Sequence, residues 1–257
     1  ACLLGHAVRF DGGHKGNRFL KETLAEHFEW VPVCPEVEMG LGTPREAIRL
    51  VRLGGETRLR GTRSGEDHTE RMLSFIEERM PDLQSQSLRG FVLKKDSPSC
   101  GMQRVKVFTG DAATRSGRGM FAAALLEVLP NLPVEEEGRL CDDRLRDNWV
   151  ARVFAYDDLC RLWASDWTIG DLVDFHSRYK LSLLAHSQAD YLQLGRLVAK
   201  SKESPRAQLR NRYESAFMQA LSRITTRRTN TNALQHIAGF FKRHLDRNSR
   251  AELAVHI

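Results

Sequence analysis

Five cysteines stand at positions 2, 34, 100, 141 and 160 of the 257-residue chain. No two are spaced as Cys-x-x-Cys, and an odd count fits poorly with a secreted disulfide framework. The reducing cytoplasm is therefore the expected compartment. Cys2, Cys34 and Cys100 share a context. Cys34 is expected to close a short buried strand over 31–34, and Cys100 to lie in the loop after a strand over 90–94. Cys2 is expected to follow a first strand that precedes the chain. In a parallel sheet the loops at the carboxyl ends of the strands form one edge, where ligands bind. Three thiols far apart in sequence can converge there. Three thiolates suit a soft metal: zinc with an open fourth position, or a cubane iron–sulfur cluster with one iron free of protein. Three separately buried thiols are the plain alternative. Cys160, beside Leu159 and Leu162, is expected to pack, and Cys141 falls outside the pattern.

The neighbours of these thiols add chemistry. Glu36 follows Cys34 across Pro35, which stiffens the turn. A carboxylate near a Lewis-acidic metal is a natural general acid or base. Ser97 and Ser99 place two hydroxyls before Cys100, and Gly101 permits close backbone approach. A solvated charge is the plain reading of Glu36, and local turn capping that of the two serines. Ser99, His14 and Lys15 are expected at the substrate, the last two beside a nucleotide phosphate. The run Ser-Gly-Arg-Gly over 116–119 opens a helix, so its amides either bind a phosphate or only cap that helix. The short glycine loops at 12–13 and 40–42 lack the spacing of a nucleotide fingerprint.

These residues need elements to position them. A helical stripe runs over 17–28, with Phe19, Leu20, Leu24 and Phe28 on one side. Residues 47–60 read as a strand or hairpin with Gly54 and Gly55 at the turn. Residues 67–80 read as a helix that stops before Pro81, 105–108 as a strand, and 119–129 as an apolar helix ending at Pro130. This alternation predicts an open, mostly parallel, Rossmann-like α/β sheet. Prolines and a Glu-Glu-Glu run over 130–141 mark a boundary, giving domains 1–140 and 141–257. The second is expected to be all-α, with helices over 143–165, 168–186, 189–200, 205–225 and 232–245 and another from 250. Asp166 and Thr168 are candidate caps.

Composition bounds the function. Hydrophobic residues make up 41% of the chain and charged residues 28%, which suits a globular protein. Apolar stretches such as 121–126 fall far short of the ~18 residues of a membrane span, and no signal peptide is legible. The chain opens on Ala1 directly before a motif, so residues are expected to precede it. Net charge is +6. Residues 1–140 hold 20 bases and 20 acids, so 141–257 carry the whole excess. Within 196–250 there are 13 bases and 3 acids, a local +10. So basic a stretch suits phosphate contacts. Arg206, Arg210, Arg227, Arg228, Lys242 and Arg243 are the expected RNA-binding residues. Trp149, Trp163 and Trp167 lie among apolar residues and are expected to pack rather than stack on bases.

The run Cys-Leu-Leu-Gly-His-Ala-Val-Arg-Phe-Asp-Gly-Gly-His-Lys over 2–15 comes first. Val-Cys-Pro-Glu-Val-Glu-Met-Gly-Leu-Gly-Thr-Pro-Arg over 33–45 and Ser-Pro-Ser-Cys-Gly over 97–101 follow. Arg-Ser-Gly-Arg-Gly-Met-Phe-Ala-Ala-Ala over 115–124 completes the set. Together, in order and in neighbours, they resemble the thiouracil desulfidase family. The second half, with His-Ile-Ala-Gly-Phe-Phe-Lys-Arg-His over 236–244, resembles the helical domain fused to that fold in bacterial desulfidases of tRNA 4-thiouridine. In that family residues usually precede the first cysteine, and the helical domain continues further. The resemblance implies non-redox removal of sulfur. Cys2, Cys34 and Cys100 would hold a [4Fe-4S] cluster with one open iron, and Glu36 and Ser97 would act in catalysis. The implied substrate is 4-thiouridine in tRNA, converted to uridine with release of hydrosulfide. Two alternatives stand beside it: a desulfidase of free thiouracil or thiolated nucleotides, and a non-enzymatic RNA-binding protein with a structural metal. Oligomeric state is not legible.

Overall fold

A computed structural model describes residues 1–241 and 245–256. The chain divides into two compact units, Ala1–Asp142 and Asp143–Ile257. In the first, Gly54 and Gly55 adopt positive φ and close a hairpin between β1 (Ile48–Leu53) and β2 (Glu56–Gly61). Gly110, also at positive φ, turns β4 (Val105–Thr109) back into β5 (Ala112–Gly117). β1 and β4 pair in parallel, giving one sheet in the order β2-β1-β4-β5. β3 (Phe91–Leu93) pairs in parallel with β6 (Val134–Glu136) as a separate ribbon. The expected mostly parallel sheet is thus a mixed one, because tight glycine turns force sequence neighbours to run antiparallel. β5 carries no apolar alternation and lies almost wholly exposed, so its pattern gives no strand signal.

Inward residues Leu50, Leu59, Val105 and Val107 are at most 3% exposed. They share the core of this unit with Met72, Phe75 and Leu83 of α1 (Thr69–Ser85) and Phe121 and Leu125 of α2 (Met120–Val128). α1 runs through Pro81 instead of stopping before it. A mid-helix proline costs about 3 kcal/mol. Burial of Met80 and Leu83 on either side of it offsets that loss. The expected helix over 17–28 is a wide turn at Phe19–Thr23 and a 3-10 turn at Leu24–Glu26. No strand forms over 31–34, since Pro32 and Pro35 remove ladder donors. The acidic run expected at the boundary is instead strand β6 and its exit. Glu135, Glu136 and Glu137 are at most 8% exposed, and each is satisfied. Glu135 accepts from Arg139, Glu136 from the Met102 amide, and Glu137 from Lys94 and the Lys95 amide.

The second unit is helical: α3 (Asp143–Ala164), α4 (Ile169–His186), α5 (Gln188–Ala199), α6 (Arg206–Ser222), α7 (Arg227–Phe241) and α8 (Arg247–His256). Thr168 and Asp171 form a reciprocal capping box at the start of α4, whereas Asp166 stays in the preceding loop. Trp163, Trp167, Phe175, Tyr213 and Phe217 fill the core, with edge contacts between Phe175 and both Tyr213 and Phe217. Trp149 is buried as well, so all three tryptophans pack.

His176 and His186 are two of the histidines of this unit. His176 Nδ1 meets the Tyr213 hydroxyl at 3.1 Å, and His186 Nδ1 meets the Arg223 carbonyl at 2.5 Å. Burial lowers the pKa of both. The unfolded chain therefore binds more protons once pH falls below about 6.5. Their contribution is present above that pH and is lost as pH falls through the lower folded values. The urea midpoint followed by tryptophan fluorescence should drop between pH 7 and 5, less steeply in His176→Phe. A pH-independent midpoint would contradict this account.

Candidate metal and catalytic centre

Three segments of the first unit carry the thiols, and each is tied down locally. Cys2 opens a 3-10 turn, Cys2–Leu4. Its carbonyl accepts from the Lys15 amide at 3.1 Å, and the Ala1 nitrogen donates to the Val33 carbonyl at 2.9 Å. The first and second thiol segments are therefore joined directly. The Cys34 carbonyl accepts from the amides of Val37 and Glu38, while its own amide donates to Glu38 Oε1 at 2.7 Å. Its thiol faces the Val8 carbonyl at 3.8 Å. At the third segment, Ser97 Oγ accepts from the amides of Ser99 and Cys100 at 3.2 and 3.0 Å. That loop rests on the first turn of α2, where the Met120 and Ala122 amides donate to the carbonyls of Pro98 and Ser99. The Gly119 amide likewise donates to the Gly101 carbonyl, so it is not free for a phosphate.

The thiols act on one another electrostatically. Burial raises the pKa of all three, Cys100 most. Beyond burial, charge on Cys34 raises Cys2, and charge on Glu36, Cys34 and Cys2 raises Cys100. Lys94 and Arg9 act oppositely on Cys2, and Arg45 on Cys34. All five cysteines are free thiols. Among the described residues, no three His, Cys, Asp or Glu side chains are arranged to hold a metal ion. Three cysteines are an appropriate donor set for a polynuclear cluster.

Glu36 stands between the second and third thiol segments. Its Oε2 accepts from Arg45 Nη2 at 2.6 Å and Nε at 3.2 Å, and its Oε1 from Ser99 Oγ at 2.7 Å. Ser99 is 0% exposed. Its hydroxyl meets the Glu36 carboxylate. Ser97 caps the turn, and with its lone pairs engaged its O–H is left to donate. His14 and Lys15 are exposed, and His14 Nδ1 accepts from the Gly16 amide.

In the helical unit, Arg206 and Arg210 lie over the rings of Trp167 and Trp163, at 4.6 and 5.7 Å from their centroids. Arg227 and Arg228 are exposed and line a cavity of about 800 Å³ with Gln188, Asn232 and Gln235. That cavity belongs wholly to the helical unit and includes none of the thiols. Lys242 and Arg243 lie outside the described residues. Sequence reasoning assigned no role to Arg45 or Lys94. Arg45 ends the Gly-Leu-Gly-Thr-Pro-Arg run, so its signal was present; Lys94 sits in an ordinary strand end and had none.

A family model described as 2-thiouracil desulfurase matches residues 1–137, and one described as a protein of unknown function (DUF1722) matches residues 180–257. The chain is 39% identical over 113 residues to the uncharacterized protein YbgA of Escherichia coli (strain K12), covering 44% of this chain and 67% of that protein. It is 31% identical over 133 residues to the uncharacterized protein YbbK of Bacillus subtilis (strain 168), covering 50% and 87%. A solved structure, the [4Fe-4S]-dependent thiouracil desulfidase TudS, is 32% identical, covers 55% of this chain and 89% of its own, and has a TM-score of 0.44.

A Cβ added at Gly119 would stand 2.4 Å from the Ser99 carbonyl carbon and oxygen and 2.8 Å from the Cys100 nitrogen. Gly119→Ala should therefore shift the Cys100 loop and destabilise the first unit by about 1–3 kcal/mol. Thiol labelling of the metal-free protein should show Cys100 reacting faster. Unchanged stability and labelling would show that the loop is not packed this way.

Proposed function

Because the chain belongs to the 2-thiouracil desulfurase family, we propose that it removes sulfur from 4-thiouridine in tRNA, giving uridine and hydrosulfide. The observation that carries this reading is that the Ala1–Val33 and Ser99–Glu36 bonds tie the segments of Cys2, Cys34 and Cys100 together, with Glu36 clamped by Arg45. Cys2, Cys34 and Cys100 would hold a [4Fe-4S] cluster and leave one iron without a protein ligand. Bound there, the cluster supplies a soft Lewis acid for the thiocarbonyl sulfur.

The remaining steps fall to the side chains. Water adds to the ring carbon, the C–S bond breaks, and sulfur leaves as hydrosulfide; no net electron is transferred. A carboxylate offers about four lone-pair sites. Arg45 takes two of those on Glu36 and Ser99 one, so Oε1 keeps one to accept the water's proton. Ser97 O–H orients the substrate or the water. His14 and Lys15, exposed beside the Cys2 segment, meet a phosphate of the substrate. The helical unit binds the tRNA through backbone phosphates, with Arg206, Arg210, Arg227 and Arg228 as contacts and Lys242 and Arg243 further along the same basic stretch. Its +10 over 196–250 supports that partner. To reach the thiols, the thiolated base must turn out of the tRNA body. The reducing cytoplasm, where tRNA is found, suits five free thiols. Among the described residues no helix is long and apolar enough to cross a membrane.

A second substrate, free 2-thiouracil, is favoured by the family's description. Anaerobic reconstitution with iron and sulfide, incubation with 4-thiouridine-containing tRNA, and mass spectrometry of the digested nucleosides separates the two. Loss of 4-thiouridine with gain of uridine and sulfide supports the tRNA reading. Intact 4-thiouridine with turnover of free 2-thiouracil transfers the activity to the free base. Zinc in place of iron would favour a structural metal instead.

Cys34→Ala and Cys100→Ala should each lose bound iron and all desulfuration; a colourless, fully active Cys100→Ala would refute the cluster. Charge reversal at Arg227 and Arg228 should weaken tRNA binding and lower its salt slope by about 1 for each phosphate no longer neutralised. Turnover of free 2-thiouracil should be unaffected. Unchanged tRNA binding at moderate salt would remove those two residues from the RNA surface.

A further inference from the structure

We infer that Arg45 and Ser99 are positioning residues that hold the Glu36 carboxylate in one orientation beside the three thiols. The inference rests on the desulfidase reading above and assigns two residues to the same site. A glutamate side chain left to itself samples several rotamers. Glu36 is denied that freedom from both ends of its carboxylate. Arg45 Nη2 and Nε converge on Oε2 at 2.6 and 3.2 Å, and Ser99 Oγ closes on Oε1 at 2.7 Å.

The clamps are themselves fixed. The Arg45 side chain is 6% exposed and Ser99 is 0% exposed. Arg45 Nη1 donates to the Gly42 carbonyl at 2.8 Å, Nη2 donates also to the Val8 carbonyl at 3.0 Å, and its backbone amide donates to the Phe10 carbonyl at 2.8 Å. The Val8 carbonyl is the same oxygen that faces the Cys34 thiol. One guanidinium nitrogen therefore registers the carboxylate against the backbone on which Cys34 rests. Ser99 does the equivalent at the other thiol, as the residue immediately before Cys100 in a loop fixed by Ser97 and α2. Glu36 is thus located relative to two thiol segments at once. Such registration is the form in which side chains contribute orientation to catalysis, where a small misplacement is costly. Lysine at position 45 would keep the charge but offer one nitrogen, which cannot span Oε2 and two carbonyls as the planar fork does.

A buried ion pair that merely holds the fold together would show the same distances, so the test must separate the two roles. Wild type, Glu36→Gln, Arg45→Lys and the double variant are loaded anaerobically with iron and sulfide. Each is assayed on free 2-thiouracil, or on 4-thiouridine-containing tRNA if only that is turned over. Bound iron is measured for each, and the urea midpoint is taken on the metal-free proteins. We expect Arg45→Lys to lower kcat by about 100-fold, with KM and iron content unchanged. In the Glu36→Gln background the same change should alter kcat by less than about twofold, because residues acting through one another are not additive. Ser99→Ala, a milder change that leaves Oε1 without its donor, should give the same non-additive pattern if Arg45→Lys folds poorly.

Equal losses in both backgrounds, or losses that follow iron content, would overturn the inference. So would the absence of any Arg45–Glu36 coupling in the urea midpoints. Full activity in Glu36→Gln would remove both the proton role of Glu36 and its positioning by these residues. A loaded wild type that desulfurates neither substrate would refute the proposed function itself, a result distinct from additivity in an active enzyme.

Discussion

Thiols at positions 2, 34 and 100 belong to segments that no strand pairing brings together. Polar bonds tie these segments to one another, three of them through side chains or the Ala1 nitrogen. The Ala1 nitrogen joins the first segment to the Val33 carbonyl of the second. Arg45 joins the second to the Val8 carbonyl within the first. Ser99 joins the third to the second through Glu36. Remove these three links and the sheet remains, because β1, β2, β4 and β5 pair without them. The thiols would then be free to part. The sheet and α1 give the unit its stability, whereas these polar links give the centre its geometry.

Polar links at partly buried positions are expensive unless complete. An ion pair removed from water loses hydration that its mutual attraction does not fully restore. Arg45 and Glu36 satisfy this condition more fully than a surface pair does, since the guanidinium also reaches two carbonyls and the carboxylate a hydroxyl. The glutamate run 135–137 follows the same logic on the other side of the Cys100 loop. Glu136 takes the Met102 amide and Glu137 the Lys95 amide, so both ends of the segment holding Ser97 and Cys100 are fixed by buried carboxylates. Burial raises the Glu136 carboxyl, and the amides of Met102 and Gln103 oppose that rise. Lys94, bonded to Glu137, also sends its field to Cys2. Charges that keep the loop in place are in this way also part of the field around the thiols.

Elements with a clean period or a strong turn signal were legible in the sequence. The hairpin around Gly54 and Gly55, the apolar helix α2 and the helices of the second unit belong to this class. The strand β5 was not, since a strand exposed along nearly its whole length has no apolar alternation to reveal it. Nor was β6, because a triple glutamate reads as solvent-facing until its partners Arg139, Met102 and Lys94 are known. Pro81 misled for a different reason. A proline's local cost is readable from sequence, while the burial of Met80 and Leu83 that outweighs it depends on what α1 packs against. At the centre, residue types pointed to Cys2, Cys34, Cys100 and Glu36. The roles of Arg45 and Ser99 depend on contacts across 9 and 63 residues of sequence, which no local pattern contains.

The two units also differ in how they handle charge, and this bears on what each can do. In the first, bases and acids balance over 1–140, and the charges nearest the thiols are paired internally: Arg45 with Glu36, Lys94 with Glu137. A site that must keep thiolates, a carboxylate and water in fixed relation gains from fields that do not vary with ionic strength, and partly buried pairs are screened little. In the second unit, the excess of bases over 196–250 is displayed at exposed positions such as Arg227 and Arg228, where salt screens strongly. Attraction that is long-ranged, tunable and indifferent to sequence suits capture of a polyanion, not chemistry on one of its bases. Under the proposed function, binding strength and bond-breaking would rest on separate sets of charges, so a change that alters affinity for a polyanion need not disturb the geometry around Glu36.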